Sequence, residues 1–252
     1  MSKLTVIILA KNEEQNIVDC INSAKFADDI LVIDDFSKDR TVTLAQELGA
    51  RVIQHGLDGS WEQQKNFAIK ESQGEWIFFL DADERISEEL AKSMQDAINN
   101  PEKGSYLVQR ENKFHHNEAT HGVLRPDWVL RLCPRDGAMV LGNVHEKLTS
   151  PYDESNLKGI LYHYTYDNWD QYFRKFNQYT SLLAIQYQER NKKVSFVKDI
   201  IFRPLWAFIK MYILQGGFKD GKMGYILSVN HYFYTMTKYV KLYYLYKSGG
   251  KL

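Results

Sequence analysis

Cysteine is scarce. The 252-residue chain has two, Cys20 and Cys133. They lie far apart without metal-ligand spacing, which predicts reduced, structural thiols and excludes a disulfide framework. Net charge is missing too: 32 Lys and Arg balance 32 Asp and Glu, but unevenly along the chain, an asymmetry that argues against a nucleic-acid-binding protein. No secretory leader is legible, because Met1-Ser2-Lys3 runs directly into a short apolar segment and charge resumes at Lys11. A cytoplasmic location is therefore expected. The C-terminal part lacks any run of about 20 uninterrupted apolar residues, so no spanning helix is expected there. Internal repeats and low-complexity segments are also absent.

What is present suffices for one sizeable α/β domain with an appendage. Hydrophobic residues make up 44% and charged residues 25%, a balance that folds. Short, β-branched-rich apolar runs read as buried strands at Leu4 to Ala10, Ile30 to Ile33, Arg51 to Gln54 and Glu75 to Leu80. Between them, apolar residues recur at helical spacing, as in Ile17, Cys20, Ile21 and Ala24. Asn12, Ser37 or Asp39, and Ser87 are the expected helix caps. Such alternation predicts a mainly parallel sheet with helices on both faces. Ser105 to Arg110 and Trp128 to Cys133 read as later strands, flanking a polar loop from His115 to Arg125.

Ligands of such sheets bind beyond the carboxyl ends of the strands, and the polar residues cluster there. Asp81-Ala82-Asp83 follows the fourth apolar run. Two carboxylates separated by one residue, where a strand turns into a loop, suit a hard divalent cation, Mg²⁺ or Mn²⁺. An acidic capping turn fits the same residues. Asp34-Asp35 closes the second run, where a carboxylate accepts hydrogen bonds from a base N–H or from ribose hydroxyls, or caps the next helix. Lys11-Asn12-Glu13-Glu14 lacks the glycines of a sugar-phosphate nucleotidyltransferase loop. His145-Glu146 has no second histidine at helical spacing, which excludes a zinc-protease motif.

Taken in order, VIILAKNEEQNI, ILVIDDFSKDRT, QQKNFAI and WIFFLDADERI resemble the nucleotide-sugar-binding half of the family 2 inverting glycosyltransferases. The resemblance covers roughly the first hundred residues and implies a GT-A fold, Rossmann-like, binding a nucleoside-diphosphate sugar, most often UDP-linked. It implies that Ala10 and Glu13 lie by the nucleoside and that Asp35, or its neighbour Asp34, holds the base. Lys65 then approaches the phosphates, Asp81 the ribose or sugar, and Asp83 is the principal metal ligand. The usual Glu-Asp of the acceptor half is missing. Gly142 to Leu148 instead resembles the His-Glu-Lys-Leu variant of bacterial lipopolysaccharide-core β-glucosyltransferases, which makes Glu146 the catalytic base; a salt bridge to Lys147 or Lys158 is the competing use. His163 stands where many GT-A enzymes carry a late histidine near the metal or diphosphate, and a packed core histidine fits it equally. Arg131, with Arg125 and Arg135, falls in a region the resemblance places near the diphosphate. His145 and Trp128 are candidate acceptor contacts.

The tail differs in character. From Lys198 onward there are nine Lys or Arg against two Asp, interleaved with aromatic residues, so helices lying in an anionic membrane interface are expected. A tyrosine-rich helical core or an oligomer interface is the alternative. The Gly-Gly-Phe-x-Asp-Gly turn from Gly216 resembles the tail of the lipopolysaccharide-core group, whose acceptors are lipid-anchored. The expected organisation is a catalytic domain over 1–165, divided at about residue 100 into donor and acceptor halves, and a helical membrane-associating region over 166–252. The expected activity is inverting transfer, glucose being favoured, from a UDP-sugar to a glycolipid or lipopolysaccharide-core acceptor by an enzyme peripheral to the inner face of the cytoplasmic membrane. A polyprenyl-phosphate sugar transferase and a non-catalytic nucleotide-sugar-binding membrane protein remain alternatives.

Overall fold

A computed structural model describes residues 3–57, 60–100, 102, 104–114, 120–142, 146–166 and 168–250. The chain divides into two compact units, one of Met1–Glu111 with Asp127–His163, the other of Asn112–Pro126 with Tyr164–Leu252. The segment 112–126, read from sequence as part of the first domain, belongs to the second unit.

The first unit begins with β1 (Leu4–Ala10), α1 (Ile17–Ser23), β2 (Asp29–Asp34), α2 (Thr41–Glu47), β3 (Arg51–Gln54), α3 (Trp61–Glu71) and β4 (Trp76–Asp81). It continues with β5 (Glu84–Ile86), α4 (Glu88–Ile98), β6 (Ser105–Phe114), β7 (Asp127–Pro134), β8 (Met139–Leu141), β9 (Lys147–Thr149) and β10 (Glu154–Tyr166). Strands β6 and β10 run on into the second unit.

Among the described residues the main sheet has the order β3-β2-β1-β4-β7-β6-β10-β5, and β8 pairs with β9 separately. The first four strands are parallel. β7 then runs antiparallel to both β4 and β6, and β10 antiparallel to β5. Every residue of β1 is buried, because the sheet is covered on both faces. Val6, Ile8 and Phe78 face one apolar cluster, with Ile17, Ile21, Leu90 and Met94 from the helices. Ile7, Leu9, Ile77 and Phe79 face the other, with Ala68 and Ile69 of α3. Each such fully buried side chain contributes about 1.5–3 kcal/mol. The period-2 alternation of β1 thus serves two cores, which is why it reads in sequence as one continuous apolar run.

One cap follows the sequence reading: Ser87 Oγ accepts from Leu90 N–H at 3.2 Å. The cap position of α2 is Arg40, and Asp39 just before it accepts from Thr41 N–H at 3.0 Å. Asn12 is different. Its backbone is left-handed, φ 55°, and α1 starts only at Ile17. Its amide N–H donates to Ser37 Oγ, and its side-chain oxygen accepts from Lys38 N–H, both at 2.8 Å. The residue ties two strand-end loops together instead of capping a helix.

The second unit contains α5 (Trp169–Glu189), α6 (Arg203–Ile209) and α7 (Gly221–Lys247), with π-helical turns at Phe196–Phe202 and Lys210–Leu214 on either side of α6. One aromatic cluster joins Phe114, Tyr172 and Leu227; another joins Ala184, Ile200, Tyr239 and Leu242. Much of the tyrosine-rich stretch therefore packs as core. Tyr239 is buried and stacks on Tyr187 with ring centroids 5.8 Å apart, while Tyr244 and Tyr246 remain exposed. The glycine-rich turn is a packing device: a Cβ on Gly224 would stand 1.8 Å from the Gly217 carbonyl oxygen, so only glycine lets α7 approach that turn.

Candidate active site

The parallel register brings three strand ends to one edge. Ala10 of β1 pairs with Asp34 of β2, and Leu9 pairs with Asp81 of β4. β1 lies between β2 and β4 in the sheet, so the chain leaves its central strands on opposite sides and opens the crevice where α/β sheets take ligands.

On the β2 side the loops after β1 and β2 are laced together. Lys11 Nζ lies 2.6 Å from Asp35 Oδ2, and Asp35 Oδ1 accepts from Leu57 N–H at 3.1 Å. Burial works against the Asp35 charge, but these donors outweigh it and hold the carboxyl below its ordinary range. Asp34 is fully buried; its Oδ2 accepts from Ser37 N–H and from the Gln54 amide. Glu13 N–H donates to Thr41 Oγ1 at 2.7 Å, and its carboxylate accepts from Asn16.

On the β4 side a charged cluster is built around Arg131 of β7. Its Nη2 donates to Asp81 Oδ2 at 2.8 Å and to Glu84 Oε1 at 2.7 Å. Glu84, fully buried, also accepts from Asp81 N–H at 2.9 Å. Arg110 reaches within 3.7 Å of Glu84 and holds Asp127 at 2.8 Å. Burial pushes the Glu84 carboxyl up to about 7, Arg131 opposing and Asp81 adding to the shift. For Asp81, burial is outweighed by the charges of Arg131 and Lys65, which keep it ionised well below the usual carboxylate range. One guanidinium thus serves two carboxylates, the fully buried Glu84 and the partly exposed Asp81. Removing it leaves buried charge uncompensated at a cost of about 3–5 kcal/mol. Arg131→Met is therefore expected to lower the thermal midpoint by about 10 °C or more, and the double variant with Glu84→Gln to recover part of that loss. A midpoint unchanged by Arg131→Met in differential scanning calorimetry would refute this role.

Asp83 lies two residues beyond Asp81, and β10 pairs with β5 so that His163 stands opposite Glu84. This register brings His163 Nε2 to 3.4 Å from Asp83 Oδ2. A carboxylate oxygen and an imidazole nitrogen this close would hold a divalent cation, the imidazole favouring Mn²⁺ over Mg²⁺. No cluster of three or more His, Cys, Asp or Glu able to hold a metal occurs among the described residues.

A cavity of about 460 Å³ opens beside Asp81, lined among others by Lys65, Arg110, Trp128, Arg131 and Glu146. Lys65 Nζ from α3 donates to Glu146 Oε1 at 3.1 Å, so the ion pair of Glu146 is with neither Lys147 nor Lys158. Trp128 is half exposed at the wall. The other two arginines of the sequence reading have different partners. Arg125 belongs to the second unit, bonded to Gly122 O and Gln215. Arg135 sits past the far end of β7 and donates to Ser72 O. His145 lies outside the described residues.

Sequence reasoning assigned no role to Glu84 or Arg110. The i,i+3 spacing of Asp81 and Glu84 was the available signal, since a carboxylate three residues on reaches back to the backbone N–H. Cys20 and Cys133 are free and buried; burial raises both thiols, Cys133 to about 12, in keeping with inert, structural residues.

A parallel βα crevice continued by antiparallel strands, with Asp-x-Asp at the central strand end and a cavity beyond it, defines a GT-A glycosyltransferase. The chain belongs to Glycosyl transferase family 2, whose profile matches residues 5–215. It is 28% identical over 256 residues to an uncharacterised glycosyltransferase of Rickettsia typhi, covering 96% of this chain and 87% of that protein. It is 27% identical over 257 residues to the lipopolysaccharide core biosynthesis glycosyltransferase LpsC of Rhizobium meliloti, covering 95% and 92%. Among solved structures, residues 1–349 of Staphylococcus aureus TarS superpose with a TM-score of 0.48 at 15% identity, covering 98% of this chain and 92% of that one.

Proposed function

We propose that this glycosyltransferase moves a sugar, glucose being favoured, with inversion from a UDP-sugar to a membrane-borne glycan such as a lipopolysaccharide inner core. The observation carrying the reading is the shared cavity: Glu146, paired with Lys65, lines the same space as Asp81 of the donor corner. The role of LpsC in lipopolysaccharide core biosynthesis supports the acceptor class.

In this reading Ala10, Glu13, Asp34 and Asp35 receive the nucleoside, and Asp81, oriented by Arg131, contacts the ribose or the sugar. Asp83 and His163 hold Mg²⁺ or Mn²⁺, which when bound supplies positive charge that stabilises the departing diphosphate. Glu146 accepts the proton of the acceptor hydroxyl as its oxygen attacks the anomeric carbon opposite the leaving group, which inverts the centre. Lys65 fixes the Glu146 carboxylate and presents a cation towards the donor phosphates. Trp128, half exposed at the wall, offers an aromatic face to the acceptor.

A donor screen tests this. UDP release from UDP-glucose in the presence of Mn²⁺ is expected to exceed turnover of GDP- and TDP-sugars, and to fall on chelation. Turnover confined to GDP- or TDP-sugars would overturn the donor assignment. Absence of UDP binding by calorimetry with Mn²⁺ would favour a non-catalytic protein.

A further inference from the structure

The stretch from Phe196 to Leu214 presents an apolar face that none of the described residues covers. Exposed residues recur in adjacent pairs every four positions: Val197-Lys198, Ile201-Phe202, Leu205-Trp206, Ile209-Lys210 and Ile213-Leu214. Between them Asp199, Ile200 and Pro204 turn inward, and the segment packs against α7. An α-helix overshoots a four-residue repeat by about 40° per turn, so a pure α-helix would wind this stripe around its axis. The wider π turns at Phe196–Phe202 and Lys210–Leu214 counter that drift, since i→i+5 turns take in more residues. The stripe thereby stays on one side through the whole segment. Phe202 is 62% exposed, Trp206 58% and Leu214 64%. A continuous apolar strip of this kind marks an interaction surface.

Charge selects the occupant. From Lys192 to Ser248 the acidic residues are Asp199 and Asp220. Asp199 is buried and ion-paired to Arg203; Asp220 is almost wholly buried and held by the backbone N–H groups of Thr120 and His121. The exposed unpaired charges of this segment and of the turn that follows it are therefore positive: Lys198, Lys210, Lys219 and Lys222. Two copies meeting through this face would set these lysines against one another, which like-charge repulsion disfavours. No helix of the described residues is long and apolar enough to cross a membrane, which leaves a helix lying in the interface plane. There aromatic and aliphatic side chains enter the headgroup boundary while lysines reach anionic phosphates.

We propose that the 197/201/205/209/213 face, with its 198/202/206/210/214 neighbours, is the surface by which this protein docks on an anionic phospholipid bilayer. The proposal stands independently of the donor assignment. Flotation of the full chain with vesicles of phosphatidylcholine, with or without phosphatidylglycerol, tests it. The wild type is expected to float with the anionic vesicles and to be released by salt. Phe202→Ser/Trp206→Ser should weaken partition about tenfold or more at an unchanged thermal midpoint. Lys198→Glu/Lys210→Glu, on the solvated rim, should abolish the preference for phosphatidylglycerol. No flotation of the wild type, or both variants floating as the wild type does, would overturn the proposal. So would a dimer in sedimentation that the Phe202/Trp206 variant dissolves, because the face would then belong to a second copy. UDP binding measured alongside keeps the two readings separate: its loss with flotation intact bears on the donor site alone.

Discussion

Replacing Glu146 by Gln is expected to lower transfer to the acceptor by about 10²–10⁴-fold, the range supplied by a positioned general base, while leaving UDP affinity near that of the wild type. Gln keeps the shape of Glu and a hydrogen-bonding oxygen for Lys65 Nζ, now 3.1 Å from the carboxylate, but it cannot accept the acceptor's proton. The expected signature is a fall in kcat with little change in donor KM. Product stereochemistry and single-turnover rates with a soluble acceptor fragment check this directly. An undiminished rate would remove Glu146 from the base role and favour attack by an already ionised phosphate, as in a polyprenyl-phosphate sugar transferase. The neighbouring Lys65→Met variant sharpens the test. It leaves the carboxylate in place but removes the cation presented to the donor phosphates, so its loss should fall on donor KM, whereas that of Glu146→Gln falls on kcat.

Asp83→Asn should remove metal-dependent donor turnover, with kcat/KM falling about 10²–10³-fold, as expected when several kcal/mol of leaving-group stabilisation is lost. Fold stability should change little, because Asp83 is partly exposed and its resolved partner is His163 at 3.4 Å. That separates it from Asp81, which is bonded to the buried Arg131. Titration of Mn²⁺ in the presence of UDP, followed by calorimetry, gives a readout besides activity: Asp83→Asn and His163→Ala should both weaken metal binding. Metal affinity unchanged in both variants would place the cation elsewhere.

The parallel half of the fold was legible because its strands are buried on both faces. Leu4 to Ala10 reads as one apolar run, and a run that short between helical periodicities admits few other structures. The antiparallel half was less visible. β5 and β9 have three residues each, too few for any periodicity to register, and β10 is long but mixed in polarity. Asn12 misled for a related reason. An asparagine before a helix is a good cap in general, but here its left-handed backbone carries it to the Ser37-Lys38 loop, a contact 25 and 26 residues away in the chain.

Charge shows the same division. The basic excess of the tail was countable, yet which residues face water was not. Tyr239 and Leu242 of the tyrosine-rich helix are core residues, and an exposed apolar strip lies on the π-interrupted segment before it, most of which belongs to the stretch from Lys198 read as interfacial.

The sequence by itself determined the family, the GT-A fold and the candidate residues at the donor-side strand ends, because strand polarity and loop position are local properties. Only the tertiary structure decided how those residues pair. Arg131 lies 50 residues from Asp81, and Lys65 lies 81 from Glu146; His163 meets Asp83 through a strand register. Such partners are set by which strand neighbours which in the folded sheet, and by the low dielectric that makes a buried carboxylate demand a cation. Neither condition exists until the chain has closed around it.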